Sequence, residues 1–112
     1  MIPAQYKKAF TLSFDDGVLQ DERLIAILDR LGLRATFNLN SGLLGRPDTL
    51  VRNGVTVDHS CFAPEDVRRV YAGHEVAAHS LPHPRLTQLS DDEIVREVEE
   101  DRLALSALCG YE

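Results

Sequence analysis

Two short stretches of this chain alternate apolar and polar residues, with a helical segment between them, and that order limits the available folds most. In "AFTLSFD", Phe10, Leu12 and Phe14 fall on one face and Thr11, Ser13 and Asp15 on the other, which is the two-residue period of a strand. "RATFNLN" repeats the pattern, with Ala35, Phe37 and Leu39 set against Thr36, Asn38 and Asn40. Between them, "DERLIAILDRLG" places Leu24, Ile27, Leu28 and Leu31 at helical spacing, with Asp21 as the expected cap and Gly32 as the stop. Strand, helix, strand predicts parallel strands joined by a right-handed crossover.

The rest of the chain extends this order. Within a loop-rich stretch, "TLVRNGVTV" carries Asn53-Gly54 between β-branched residues, which predicts a hairpin insertion over about residues 49–58. Pro64 opens a short helix in "PEDVRRVYAG", which Gly73 ends. "HEVAAH" reads as a third strand with Glu75, Ala77 and His79 on one face. "SDDEIVREVEEDRLALSALCG" reads as a helix opened by a Ser90–Glu93 capping box and closed by Gly110, with Ile94, Val98, Leu105 and Leu108 as its apolar side. Its acidic run, "DDEIVREVEEDR", is expected to be a solvated face laced by i,i+4 pairs. No repeat or linker interrupts the sequence, so residues 1–112 read as one α/β domain.

Composition bounds the partners. The chain is 44% hydrophobic and 27% charged, ordinary for a globular protein. Its net charge of -6, without any basic stripe, argues against nucleic acid or an anionic membrane as a partner. "MIPAQYKKAF" lacks the apolar run of a signal peptide and no segment is long enough to span a bilayer. A cytoplasmic location is therefore expected, or an extracellular one if the chain has been trimmed. Cys61 and Cys109 have no metal-type spacing and are expected to be free thiols.

In α/β folds, functional residues gather at the carboxyl ends of the strands. Here those ends carry Asp15 and Asp16, then Asn38 and Asn40, then His79. Two adjacent carboxylates repel, so "FDDG" calls for a positive charge nearby. "AHSLPHPRL" can provide its ligands: His79 and His83 are four apart, and Pro82 and Pro84 favour a stiff loop over a helix. Two histidines and a carboxylate are a ligand set for zinc and similar divalent ions. One aspartate would bind the ion while the other accepts a proton, and Gly17 lets the backbone turn so that both reach one site. Spacing alone does not say which does which. Asn38 and Asn40 read either as hydrogen-bonding groups of the site or as strand-end caps. His74 is expected on the terminal carbonyls of the helix before it. His59 and Cys61 fall in the hairpin insertion, toward the mouth of the site or, more simply, in a surface loop without a role in metal binding.

"TLSFDDG" and "HSLPHP" resemble the first two motifs of the polysaccharide deacetylases, carbohydrate esterases with a NodB-homology domain. "ATFNLNSG", "AGHEVAAHS" and "HPRLTQLSDDEI" resemble the family's connecting segments, so the resemblance covers nearly the whole chain. It implies a partial (β/α) barrel of about three parallel β/α units with the hairpin inserted. It implies Asp15 as general base, Asp16, His79 and His83 as metal ligands, and Ser80 as a residue that stabilises the loop. The implied ion is Zn²⁺, with Co²⁺, Ni²⁺ or Mn²⁺ as alternatives. The implied reaction is hydrolysis of an N-acetyl or related acyl group on an amino sugar or polysaccharide. The family's later motifs have no counterpart before "LCGYE", so the resemblance is to the N-terminal half of the domain. A rival reading is a non-catalytic metal-binding half-domain, completed by a partner or by a second copy that covers the open sheet edge. An aspartate-dependent phosphotransferase loop would explain "FDDG" but not the histidine loop.

Overall fold

The computed structural model describes residues 2–112. In chain order, its elements are β1 (Ser13–Asp15), α1 (Asp21–Arg30), β2 (Thr36–Leu39), β3 (Thr49–Arg52), β4 (Val55–Asp58), α2 (Val67–Val70), β5 (Glu75–Ala78) and α3 (Asp91–Cys109). β1, β2 and β5 form a parallel sheet in that spatial order, with Asp15 opposite Asn38 and Asn38 opposite Ala77. The strands therefore end at one level, where the chain turns into three loops. β3 and β4 form a separate antiparallel hairpin, turned by Asn53 and Gly54 in the left-handed region at φ 51° and 76°.

One face of the central strand drives the packing. Phe37 and Leu39 are fully buried. Phe37 stacks on Phe14 with centroids 5.6 Å apart and tilts against Tyr71 at 5.0 Å. Ile25 and Leu28 from α1, Val67 and Val70 from α2, and Leu105 and Cys109 from α3 complete the core. β1 and β5 each pair on one side only among the described residues. Beside the outer edge of β5, Val76, Ala78, Val98, Leu105, Cys109 and Tyr111 line an apolar groove.

Three local expectations change. β1 starts at Ser13, leaving Phe10 outside the ladder and exposed. α1 presents Asp21, Ile25 and Leu28 inward, while Ile27 and Leu31 are exposed. The reason is Asp21 itself: Gln20 holds the cap position without a side-chain bond, and the buried Asp21 accepts a 2.7 Å hydrogen bond from the Tyr71 hydroxyl. That bond turns the i, i+4, i+7 face toward the core. α3 keeps its capping box and its left-handed Gly110, but buries Asp101, Leu105 and Cys109 and leaves Val98 exposed. The acidic run is thus not wholly solvated.

Burial pushes the Asp21 carboxyl above its ordinary range, the Tyr71 hydrogen bond opposes this, and the charge of Asp16 adds to the rise. A raised carboxyl means that ionised Asp21 costs folded stability at neutral pH. The cost disappears where Asp21 is protonated in both states, below its ordinary value of 3.8. Asp21→Asn keeps the acceptor for Tyr71 and removes the charge. Its urea midpoint is expected to exceed the parent's at pH 7, with the gain fading on acidification toward pH 3.8. A difference independent of pH would contradict this account.

No helix among the described residues is long and apolar enough to cross a membrane.

Candidate metal centre

At the end of β1 the backbone enters the left-handed region twice, at Asp16 (φ 80°) and Gly17 (φ 68°). Gly17 has a second constraint, since a Cβ there would lie 2.9 Å from Leu39 Cδ2. The turn sends consecutive carboxylates to different neighbours. Asp15 stays exposed on the polar face of the sheet, where the Asn38 amide donates to its Oδ1 at 2.9 Å. The same amide reaches Ser13 Oγ and the Phe14 carbonyl at 2.9 and 3.2 Å, so Asn38 sits at the side of Asp15. Asp16 turns toward the loop after β5.

That loop is held along its backbone. The buried Asn40 donates through Nδ2 to the carbonyls of His79 and Ser80 at 2.5 and 2.7 Å. The Gly42 N–H donates to the Leu81 carbonyl at 3.1 Å, and a Cβ on Gly42 would meet that oxygen at 2.8 Å. From α3, Asp101 accepts from the backbone N–H groups of both Ser41 and His79 at 2.7 Å each. Glu97, one turn earlier, accepts from Leu81 N–H at 3.1 Å. Ser80 and His83 adopt φ of 67° and 59° in consequence. The backbone is tied down and the imidazoles are left free, their rings edge-to-face with centroids 4.8 Å apart.

Asp16, His79 and His83 each present one ligand atom, and these atoms all lie within 4.8 Å of one another. His79 Nδ1 is buried and has no hydrogen-bond partner among the described residues. Asp16 Oδ1 lies 3.6 Å from it, beyond hydrogen-bond reach. An unpaired buried nitrogen is costly, and a cation lying between it and the carboxylate would remove that cost. Asp16, Ser80 and His83 also hold three of the four positive φ angles found at non-glycine residues among those described. Such strain, about 1–3 kcal/mol per residue, collects at functional sites. The donors therefore fit a divalent ion.

Sequence reasoning missed three residues around this cluster, Asp101, Glu97 and Asp48, and left His59 between two readings. Asp101 and Glu97 were concealed within an acidic helix run. The signal for them was their i,i+4 spacing, which puts both on one helix face. Asp48 was concealed by the hairpin, and of the two readings of His59 the simpler one, a surface loop apart from the site, gives way. His59 does not lie in a detached surface loop: its Nε2 is 3.4 Å from Asp16 Oδ2 and its Nδ1 is 3.2 Å from Asp48 Oδ2. Cys61 is also close, its thiol donating to the Asp16 carbonyl at 3.4 Å. Burial and then the charges of Asp16, Asp48 and Asp21 push that thiol up, which suppresses the reactive thiolate. His74 serves the fold. Its buried ring accepts from Ala35 N–H at 3.2 Å through Nδ1 and meets Asp29 Oδ1 at 2.9 Å through Nε2, rather than capping carbonyls. Both cysteines are free.

The polysaccharide deacetylase profile matches residues 3–112, and the chain belongs to that family. Its structure resembles the Streptococcus pyogenes deacetylase PplD in complex with acetate, at a TM-score of 0.75 and 22% identity over 96% of this chain and 44% of that one. The peptidoglycan deacetylase PdaC from Bacillus subtilis matches at 0.68 and 25% identity, covering 94% and 46%. The family 4 carbohydrate esterase from Streptomyces lividans, in complex with acetate, matches at 0.66 and 28%, covering 94% and 47%. The chain thus spans less than half the length of each. The sheet and its helices are part of a (β/α) barrel of this type, corresponding to its N-terminal half.

Proposed function

We propose that this chain carries the metal-binding part of a metal-dependent hydrolase that removes N-acetyl or related acyl groups from an amino sugar or polysaccharide. The observation that carries the reading is the unpartnered His79 Nδ1 facing Asp16 beside His83. Asp16, His79 and His83 would hold the ion. A nitrogen-rich set of this kind suits Zn²⁺ first, with Co²⁺, Ni²⁺ or Mn²⁺ as alternatives. A bound ion would supply Lewis acidity toward the acyl carbonyl and make a water molecule more acidic.

The remaining roles belong to the protein. Asp15 is exposed and has only its Oδ1 engaged, by Asn38, so its other oxygen is free to take a proton from the attacking water. Asn38 keeps that carboxylate from swinging back over the strand. Asn40, with Ser80 in its left-handed conformation, sets the direction in which the histidine loop leaves β5. Of the three similar structures, one is named for peptidoglycan, one for carbohydrate, and two are in complex with acetate, which supports an acetylated carbohydrate as substrate.

Asp15→Asn preserves shape and removes the base. With an N-acetylated chitooligosaccharide and the Zn²⁺-loaded protein, acetate release is expected to fall by about 10²–10⁴-fold. Zn²⁺ affinity should stay near the parent value, because Asp15 is outside the donor cluster. Unchanged release in Asp15→Asn would remove it as the base.

A second reading is favoured by the free edge and apolar groove of β5. In it, the chain is a metal-binding half-domain that a partner or second copy completes. A metal-loaded dimer by light scattering that releases no acetate would select this reading.

A further inference from the structure

The base of the hairpin lies against Asp16. Antiparallel pairing runs outward from Arg52–Val55 to Thr49–Asp58, and one step further His59 N–H donates to the Asp48 carbonyl at 2.9 Å. The His59 ring bridges two carboxylates there, with Nδ1 3.2 Å from Asp48 Oδ2 and Nε2 3.4 Å from Asp16 Oδ2. The two oxygens of Asp16 are thereby divided: Oδ2 faces His59, while Oδ1 faces His79 at 3.6 Å. Asp48 is itself anchored, its Oδ1 accepting from Thr49 N–H at 2.8 Å and its backbone N–H donating to Ser60 Oγ at 3.2 Å.

The same arm grips the backbone around Asp16. Phe62 N–H donates to the Gly17 carbonyl at 3.1 Å, Leu19 N–H donates to the Ser60 carbonyl at 2.9 Å, and Val18 bridges Cys61. A left-handed aspartate is thus held from outside on both its main chain and its side chain.

We propose that His59 is a positioning residue for Asp16: it engages Oδ2 so that Oδ1 is presented toward His79 and His83, and Asp48 anchors the ring. The inference rests on reading Asp16 as a metal ligand. A carboxylate free to rotate offers either oxygen in many orientations, and holding one oxygen removes that freedom before the ion arrives. Outer partners of this kind account for about 10–100-fold in metal affinity. A neutral imidazole donates from one nitrogen only, so a ring that donates to both carboxylates carries both of its protons.

The test is Zn²⁺ affinity by competition with a chromophoric chelator, together with the visible spectrum of the Co²⁺ form, on the full chain. His59→Ala is expected to bind about 10–100-fold more weakly and to shift the Co²⁺ bands. His59→Gln, whose amide keeps an N–H near the Nε2 position, is expected to recover most of the affinity and the parent spectrum. A purely structural role would not give that rescue. Parent-like affinity and bands in His59→Ala, or a His59→Gln variant no better than His59→Ala, would overturn the inference. If His59→Ala fails to fold, Asp48→Ala keeps the main-chain ladder bond from His59 N–H and removes the carboxylate that holds Nδ1. Several-fold weaker binding supports the inference in that case, and undiminished binding overturns it. Asp16→Ala separates the two levels: if it too binds as the parent does, the metal-site reading fails, whereas loss there with none in His59→Ala removes His59 alone.

Discussion

Alanine in place of Asp16, His79 or His83 is expected to lower Zn²⁺ affinity by about a hundred- to a thousand-fold. Structural zinc sites with four ligands gain about 10–16 kcal/mol, so each ligand accounts for roughly 3–4 kcal/mol, or two to three factors of ten. The three donors lie within 4.8 Å of one another, and none has a substitute in the cluster. The variants should fold. Truncating His79 removes an unpaired buried nitrogen and leaves its backbone N–H on Asp101. Thermal unfolding gives a second reading, since Zn²⁺ that binds only the folded state raises the parent's Tm and should leave the variants unmoved. Parent-like affinity in all three variants would dispose of the metal centre.

Asp101→Ala is expected to destabilise the protein by about 1–3 kcal/mol, because it strands the Ser41 N–H and leaves the His79 N–H only the Leu39 carbonyl, 3.1 Å away. Those groups belong to Ser41 and His79, which follow neighbouring strands, so the loss loosens two loops at once. Zn²⁺ binding should weaken in parallel although Asp101 is no ligand. Asp101→Asn should fall between, since an amide offers one acceptor oxygen and turns its NH₂ against the second N–H. Urea midpoints check the stability, and a near-parent midpoint for Asp101→Ala would refute the role assigned to this side chain.

The two segments that supply the candidate cluster were legible in the sequence because each is local: "FDDG" and "HSLPH" carry their turn residues and their donors together. The strand order was legible because a period of two and a period of 3.6 are hard to confuse over such lengths. Helix orientation was less so. α1 and α3 carry apolar residues on more than one side, and the inward face is chosen by a buried carboxylate whose partner is remote. Asp21 finds Tyr71 fifty positions away, and Asp101 finds Ser41 sixty away and His79 twenty-two away. No local pattern records such a pairing. His59 was half legible: counting outward from Asn53-Gly54 pairs it with Asp48, but nothing in that count brings the pair to β1.

The hairpin ladder gives this molecule a parity rule. Facing residues added or removed in matched pairs beyond Arg52 and Val55 change the reach of the arm and leave its foot on Asp16 undisturbed. One residue gained in a single arm below that tip would turn the imidazole to the opposite side of the ribbon. Length can therefore drift at the far end while the near end stays committed, which makes the tip the natural place for new surface to be grafted.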